Sequence, residues 1–337
     1  MFTKKKLLEW FSNSEKHVIT IAEAGINHNG DIDIALDMVS AARAAGADVI
    51  KFQSFSTNSF LSPGNPIKKI FQKCQLSEKH HKLIKEKSKR VGILVSSTPL
   101  DTRWVTILDS LNFDILKVAS GDITFLPMLE KIAHTKRPVV LSTGMSTIDD
   151  IKTAVDKLRT CGATKIAILH CVSSYPPDKK ELNLASIQYM KDIFPDYPIG
   201  FSDHTAGIGI ARSAVLAGAR IIEKHFTLDK KLPGPDHSLS LLPHEFKDMV
   251  KSIREAKMIL GDRHKKPTKK EQEIVSLTRR GAFASRSLYK GDKVSKNDII
   301  YLRPEGEINP LEMEKYIGKR LKKDVPKNTP LKKIILY

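Results

Sequence analysis

Eight short runs rich in Val, Ile and Leu recur along this chain, and nearly every one ends in polar residues. The runs are Val18–Ala24, Asp48–Gln53, Ile93–Thr98, Ile115–Ser120, Pro138–Thr143, Lys165–Cys171, Pro198–His204 and Arg220–Thr227. Between them lie helix-like stretches of mixed charge, such as Ile32–Ala45, Glu78–Val91, Phe125–Lys136, Thr147–Thr160, Leu184–Phe194 and Gly207–Ala217. Strands alternating with helices imply right-handed parallel βαβ units. Eight such units in about 240 residues match an α/β chain folded as a (β/α)8 barrel. Leu239–Leu260 then reads as the last barrel helix. A doubly wound open sheet is the structural alternative, but no glycine-rich dinucleotide fingerprint follows the first run.

The ends of the runs carry more information than their middles. Run one ends at Glu23 and continues through Asn27 and His28, and run two holds Lys51 and Gln53. Run three ends at Thr98, run four holds Lys117 and leads through Ser120 to Asp122, and run five ends at Ser142 and Thr143. Run six leads to Ser173 and Tyr175, and runs seven and eight end near His204 and His225. Ile221, Glu223 and His225 share one strand face, because side chains alternate with period two. An interior face carrying both Glu and His is costly unless it does chemistry or binds a metal. Polar residues at the C-terminal ends of most strands are what a barrel active site requires.

After Gly261 the character changes. Residues 1–262 read as the barrel, 263–278 as a charged, proline-containing linker, and 279–337 as a small β-rich domain. Tyr289-Lys-Gly-Asp-Lys-Val294 and Val325-Pro-Lys-Asn-Thr-Pro-Leu331 hint at a weak repeat within it.

Composition bounds the partners. The net charge is +18. The lysines are spread along the chain with few aromatics between them, which argues against nucleic acid and for a solvated surface that draws in small anions. No apolar run approaches the length of a membrane span, and the first residues lack the apolar core of a signal peptide. Cys74, Cys161 and Cys171 have no paired spacing, so a reducing cytoplasm is expected.

Lysines with Ser and Thr hydroxyls suit a phosphate or carboxylate group. Two histidines leave most of a divalent ion's coordination open, and such an ion polarises a carbonyl. Glu23 or Asp122 would move a proton or activate water. The residues alone point to a metal-assisted lyase or transferase and leave condensation, isomerisation and hydrolysis open. Taken singly, His204 or His225 reads as a satisfied core histidine, and only the pair argues for a site. His170 reads as a packed strand end, and His80, His81, His134 and His264 as surface residues.

At these positions the chain resembles the sialic acid synthase family, which makes nine-carbon 2-keto-3-deoxy sugar acids. The matching phrases are Ile21-Ala-Glu-Ala-Gly-Ile-Asn-His-Asn-Gly30, Ala45-Gly-Ala-Asp-Val-Ile-Lys-Phe-Gln53, Lys117-Val-Ala-Ser-Gly-Asp122, Leu141-Ser-Thr-Gly-Met145, Gly200-Phe-Ser-Asp-His-Thr205, Glu223-Lys-His-Phe-Thr227 and Pro233-Gly-Pro-Asp-His237. Gly281-Ala-Phe-Ala-Ser285 and Leu302-Arg-Pro304 resemble the antifreeze-like (SAF) domain of the same family. The resemblance implies condensation of phosphoenolpyruvate with an open-chain N-acetylated hexose, of the N-acetylneuraminate type. Legionaminic acid synthase is the near alternative, pseudaminic acid synthase a further one. It implies a divalent ion, manganese first and magnesium or cobalt as alternatives, on His204 and His225. Glu23 would be the general acid or base, with Asp122 and Lys117 beside it. Lys51, Thr98, Lys117, Ser120 and Ser142 would hold phosphoenolpyruvate, and Gln53, Asn65, Ser173, Tyr175 and Asp236 the sugar or intermediate. Asp122 stands where some members have Glu, and Ser173 where some have Asn. Arg303 matches an arginine inserted into the barrel of the partner subunit, with Phe283 beside it, which implies a domain-swapped homodimer.

Overall fold

Each apolar run folds as a strand. The computed structural model describes residues 2–262 and 264–333. The strands are β1 (Ile19–Gly25), β2 (Val49–Ser54), β3 (Leu94–Pro99), β4 (Ile115–Val118), β5 (Val139–Ser142), β6 (Ile166–Cys171), β7 (Ile199–Asp203) and β8 (Ile221–His225). All pair in parallel with their chain neighbours, and β8 returns to β1 with Ile19 opposite Ile221 and Glu23 opposite His225, closing the barrel. Helices follow the strands, among them Ile32–Ala44, Glu78–Val91, Leu126–His134, Ile148–Thr160, Ala185–Ile193, Gly209–Leu216 and Pro243–Leu260. The helix Thr102–Ser110 after β3, opened by the Asp101 cap, completes the set. This is a TIM barrel.

The strands are buried on both faces, as parallel strands covered by helices must be. Outward residues such as Ala22, Ile50, Phe52 and Val95 pack with helix residues such as Met38, Val39 and Ile84 in the main core. Inward residues at the strand starts, including Ile19, Ile21, Val49, Leu94, Ile115, Val140, Leu169 and Ile221, form a second cluster. A helix that the strand pattern did not reveal, Lys4–Trp10, closes this end with Leu7 and Trp10. His81 departs from its surface reading: it is fully buried, bonded to Ser54 Oγ at 2.7 Å and Ser77 O at 2.9 Å. It shares the inner face of its helix with Ile84 and Ser88, at the three- and four-residue spacing of one helix side.

Gly200 sits where the barrel interior leaves no room for a side chain. A Cβ there would lie 2.5 Å from the Leu169 side chain and 2.7 Å from both the Cβ and the carbonyl oxygen of Ile221. Two of those atoms cannot swing aside. Gly200→Ala should therefore cost about 1–3 kcal/mol by overpacking, read as a lowered denaturant midpoint with unchanged slope.

The chain divides into two compact units, with the boundary between Gly261 and Asp262. In the stretch read as a linker, Lys269–Thr278 is a helix opened by a Thr268–Glu271 capping box. Charge and Pro267 suggested a linker, but the proline only precedes the cap, where it is tolerated. The second unit pairs β9 (Gly281–Ala284) with β10 (Ile299–Leu302) in antiparallel fashion. Its core includes Ala282, Ala284, Leu288, Val294, Ile308, Met313, Leu321, Val325 and Leu331. The segments that start the two similar phrases face each other, since Leu288 and Val325 exchange both backbone bonds, at 2.9 and 2.8 Å.

Candidate active site

Along several strands the inward face turns from apolar to polar one step above the plugged end. On β1 the inward series runs Ile19, Ile21, Glu23, on β2 Val49, Lys51, Gln53, and on β8 Ile221, Glu223, His225. These side chains line a cavity of about 400 Å³ at the C-terminal ends of the strands. It brings together Glu23, Lys51, Gln53, Thr98, Lys117, Ser120, Ser142, Ser173, Tyr175, His204, His225 and Asp236. A larger cavity, about 590 Å³, sits at the other end near Trp10 and His17. There Asp48 pairs with His17 at 3.0 Å and with Arg254 at 2.9 Å, so its core charges are spent on each other.

The floor of the C-terminal cavity is a buried quartet of charges. Lys51 Nζ lies 2.8 Å from Glu223 Oε1 and 3.4 Å from Glu23 Oε2. Lys117 Nζ lies 3.9 Å from Glu223 Oε1, donates to Ser142 Oγ at 2.6 Å and to Val118 O at 3.1 Å. Burial raises the Glu23 carboxyl to about 7, a push that Lys51 opposes and Glu223 reinforces. Burial works against Glu223 too, but Lys117 and Lys51 outweigh it and hold that carboxyl at about 2. Burial draws Lys117 down to about 8 although Glu223 favours its charge. Lys51 is held above its usual range by Glu223 and Glu23, against the cost of burial. The quartet thus separates one fixed anion, Glu223, from one proton-labile carboxyl, Glu23. Environments that push two carboxyls apart mark acid–base assignments.

Glu223 is the residue the sequence reading placed on the right face and gave no role. Ser202, which the sequence reading passed over, donates to Glu223 Oε1 at 3.0 Å and lies 3.3 Å from His204 Nε2. Each sits two residues before a strand-end histidine, so the same alternation that singled out the histidines could have found both.

His204 and His225 approach each other with ring centroids 5.5 Å apart. His204 Nδ1 donates to Val172 O at 2.9 Å, which leaves Nε2 as the free lone pair, and the Tyr175 ring stacks on the imidazole at 4.3 Å. His225 Nδ1 is buried without a hydrogen bond, 3.8 Å from Asp236 Oδ2. Burial lowers both histidines, so both are neutral, the form that binds metal. Burial also raises Asp236 to about 6. An orphaned ring nitrogen, a second imidazole and a facing carboxylate fit a divalent ion with open positions. A tighter donor group, Glu130, His134 and Cys161, lies on the outer helices, where Lys157 already pairs with Glu130.

Around the middle strands the lining is hydroxyl-rich. Ser120 Oγ accepts the Gly144 N–H at 3.0 Å and lies 3.2 Å from Cys171 Sγ. A Cβ on Gly144 would come within 2.2 Å of Ser173 Oγ, so this approach of backbone to hydroxyls requires glycine.

Two expected site residues of the barrel unit, Asp122 and Asn65, lie outside this cavity, and two, Phe283 and Arg303, belong to the second unit. Asp122 lines a neighbouring cavity of about 380 Å³ with Ser59, Phe60, Leu100, Asp101, Thr102 and Phe125. Burial raises its carboxyl to about 6. It turns away because the residues after β4 fold into a 3-10 turn, Ser120–Asp122, which sends Ser120 and Asp122 to different cavities. Asn65 spends its side-chain oxygen on the Ile67 N–H at 3.1 Å, closing a local turn. Phe283 is half-buried on β9, and Arg303, just after β10, is exposed on the second unit.

A closed parallel barrel with a charged chamber at the C-terminal ends of its strands defines a TIM-barrel enzyme. Residues 38–265 match the model of the NeuB family, and residues 279–333 match the SAF domain. The chain belongs to the NeuB family. It is 43% identical over 321 residues to an uncharacterized protein of Methanocaldococcus jannaschii, covering 95% of each chain. It is 39% identical over 329 residues to the N,N'-diacetyllegionaminic acid synthase of Legionella pneumophila, covering 92% of each. Among solved structures, the N-acetylneuraminic acid (sialic acid) synthetase from Leptospira borgpetersenii, in complex with citrate, superposes with a TM-score of 0.75 at 37% identity. That match covers 77% of this chain and 91% of the other.

Proposed function

We propose that this protein joins phosphoenolpyruvate to an open-chain N-acetylated hexose, giving a nine-carbon nonulosonic acid and phosphate. The observation that carries this is the buried Glu23–Lys51–Glu223–Lys117 quartet beside the His204–His225 pair. The two ammonium groups, with Ser142 and the Ser120–Gly144 corner, offer a dianionic phosphate and a carboxylate their donors. Displacing Glu23 and Glu223 from Lys51 requires a ligand of comparable negative charge, which selects for phosphoenolpyruvate over neutral compounds. The methylene carbon of phosphoenolpyruvate bonds to the aldehyde carbon, water adds at the enol carbon, and phosphate leaves. Glu23, poised near neutrality, gives a proton to the developing alkoxide and takes one from the attacking water. His204 and His225, with Asp236 facing them, would hold a divalent ion, manganese by preference and magnesium or cobalt as alternatives. When bound, that ion supplies Lewis-acid polarisation of the aldehyde. We take the N-acetylneuraminate type as the first reading. The full-length likeness to a diacetyllegionaminic acid synthase favours 2,4-diacetamido-2,4,6-trideoxymannose as a second acceptor.

The same reading makes the protein a cytoplasmic enzyme and a homodimer in which Arg303 and Phe283 act on the partner subunit's barrel. No described helix is long and apolar enough to cross a membrane.

Phosphate release from phosphoenolpyruvate by the purified protein tests the reaction. Release should require an acceptor sugar and stop with EDTA, and no release with any acceptor would remove the reading. Charged Lys117 binds the anion and is lost as pH rises through its pKa of about 8. The KM for phosphoenolpyruvate should therefore climb about tenfold for each pH unit above that value. A flat KM between neutrality and alkaline pH would remove Lys117 from phosphate binding.

A further inference from the structure

Two helix ends meet on the outside of the barrel, beside the strand starts and away from the catalytic chamber. The helix Leu126–His134 leads into β5 and the helix Ile148–Thr160 into β6. Their inner faces are spent on the core through residues such as Leu129, Ile132, Val155 and Leu158. Their last turns carry two pairs at four-residue spacing, which puts each pair on one helix side. Glu130 and His134 form the first pair, and Lys157 with the helix cap Cys161 the second. The pairs face each other. One ligand atom each from Glu130, His134 and Cys161 lies within 4.8 Å of the other two. Lys157 donates into this group, to Glu130 Oε2, and holds that carboxyl below its usual range, with His134 acting in the same direction. The bond to Glu130 in turn holds Lys157 above its usual range, and Cys161 adds to the effect. An ammonium thus already stands among a carboxylate, an imidazole and a thiol, where the carbonyl ends of two helices also favour positive charge.

We propose that Glu130, His134 and Cys161 form a second metal site, separate from the histidine pair of the chamber, for a borderline divalent ion of the zinc class. The donor set decides the class. Thiolate with imidazole favours zinc over manganese or magnesium, which take oxygen donors. Donors at zinc bonding distance in a tetrahedron stand about 3.3–3.6 Å apart, so the group has to close by on the order of 1 Å. Side chains that are exposed or half-buried can make that movement. On binding, Cys161 passes its thiol proton to solvent and the ion keeps its charge state. Lys157 swings out to water on its flexible stem. Water completes the coordination. The ion ties two neighbouring barrel helices together on the side away from the chamber, so it acts on stability and takes no part in the condensation.

Cobalt(II) titrated into the full-length protein reads the site, because a thiolate ligand gives a near-ultraviolet charge-transfer band that imidazole and carboxylate ligands do not. The band should appear in the wild type, and zinc should bleach it while magnesium does not. Cys161→Ser should abolish it, and His134→Ala should weaken cobalt affinity by on the order of tenfold or more. Lys157→Gln should tighten that affinity several-fold, since the ammonium no longer holds the ion's place. Zinc should also raise the melting temperature of the wild type further than that of Cys161→Ser. Circular dichroism checks that each variant is folded. The proposal is overturned by a wild type without the band, or by a band that survives Cys161→Ser and is lost in Cys171→Ser. Unchanged cobalt affinity in folded His134→Ala or Lys157→Gln, or equal melting shifts, overturns it as well. Turnover plays no part in these readings, so they stand whether or not the protein releases phosphate.

Discussion

Glu23→Gln should lower kcat for phosphate release by about 10²–10⁴-fold, with far-UV circular dichroism unchanged. The carboxyl is buried with its Oε2 3.4 Å from Lys51 Nζ, and glutamine matches glutamate in size and shape, so the amide fits the same space. What the amide removes is the group that takes up and releases a proton near pH 7. It also removes one of the two anions beside Lys51, but Glu223 remains 2.8 Å away, so that lysine stays charged. Binding of phosphoenolpyruvate should accordingly survive. It should even tighten modestly, because one carboxylate no longer competes with the ligand for the ammonium. A variant that keeps kcat within a few-fold of wild type would show that Glu23 is structural. A variant that loses phosphoenolpyruvate affinity would show that it is part of the anion site.

The largest effect on stability is expected behind the histidines. Asp203 and Lys224 are both fully buried and lie 2.9 Å apart on neighbouring strands. Lys224 Nζ also donates to the carbonyl and hydroxyl oxygens of Thr205, and Asp203 Oδ1 accepts the Thr205 N–H at 2.9 Å and hydroxyl at 2.7 Å. Asp203→Ala leaves a buried ammonium without its counter-charge and should cost about 3–5 kcal/mol of unfolding free energy. The double variant Asp203→Leu, Lys224→Met removes both charges and should recover much of that loss. Chemical denaturation of the single and double variants decides it, and a single variant within about 1 kcal/mol of wild type (about a third of the least loss seen on breaking such pairs) would rule the pair out. Asp203 and Thr205 flank His204, and Lys224 precedes His225. On the proposal that the two histidines hold a divalent ion, the single variant should also weaken binding of added manganese, read by titration calorimetry, independently of turnover.

The two predictions draw on different levels of information. Eight runs rich in Val, Ile and Leu, spaced by helix-like stretches, were enough to specify eight parallel strands, their polar ends put Glu23, Lys51, Lys117, His204 and His225 at one rim, and alternation placed Glu223 and His225 on one strand face. That much is local, because alternation along one strand decides which face a residue occupies. The phrases around those residues carried the family likeness as well. Alternation does not say what stands across the barrel. That Glu223 reaches both Lys51 and Lys117 follows only from closure, which brings β8 beside β1 and sets β2 and β4 around the same axis. Whether Asp122 joined Lys117's cavity depended on a short turn after β4, whose direction no periodicity records. Asn65 was claimed by its own backbone, and His81 was drawn inside by a helix face whose other members are too few and too mixed to betray it. The helix that plugs the barrel lies before the first strand, where the repeating pattern has not begun. The sequence by itself thus determined which residues are polar, inward and at the catalytic end. The tertiary structure alone decided which of them meet, since a buried charge takes its partner and its pKa from residues that closure brings near, as it brings Glu223 to Lys51 from the far end of the barrel sequence.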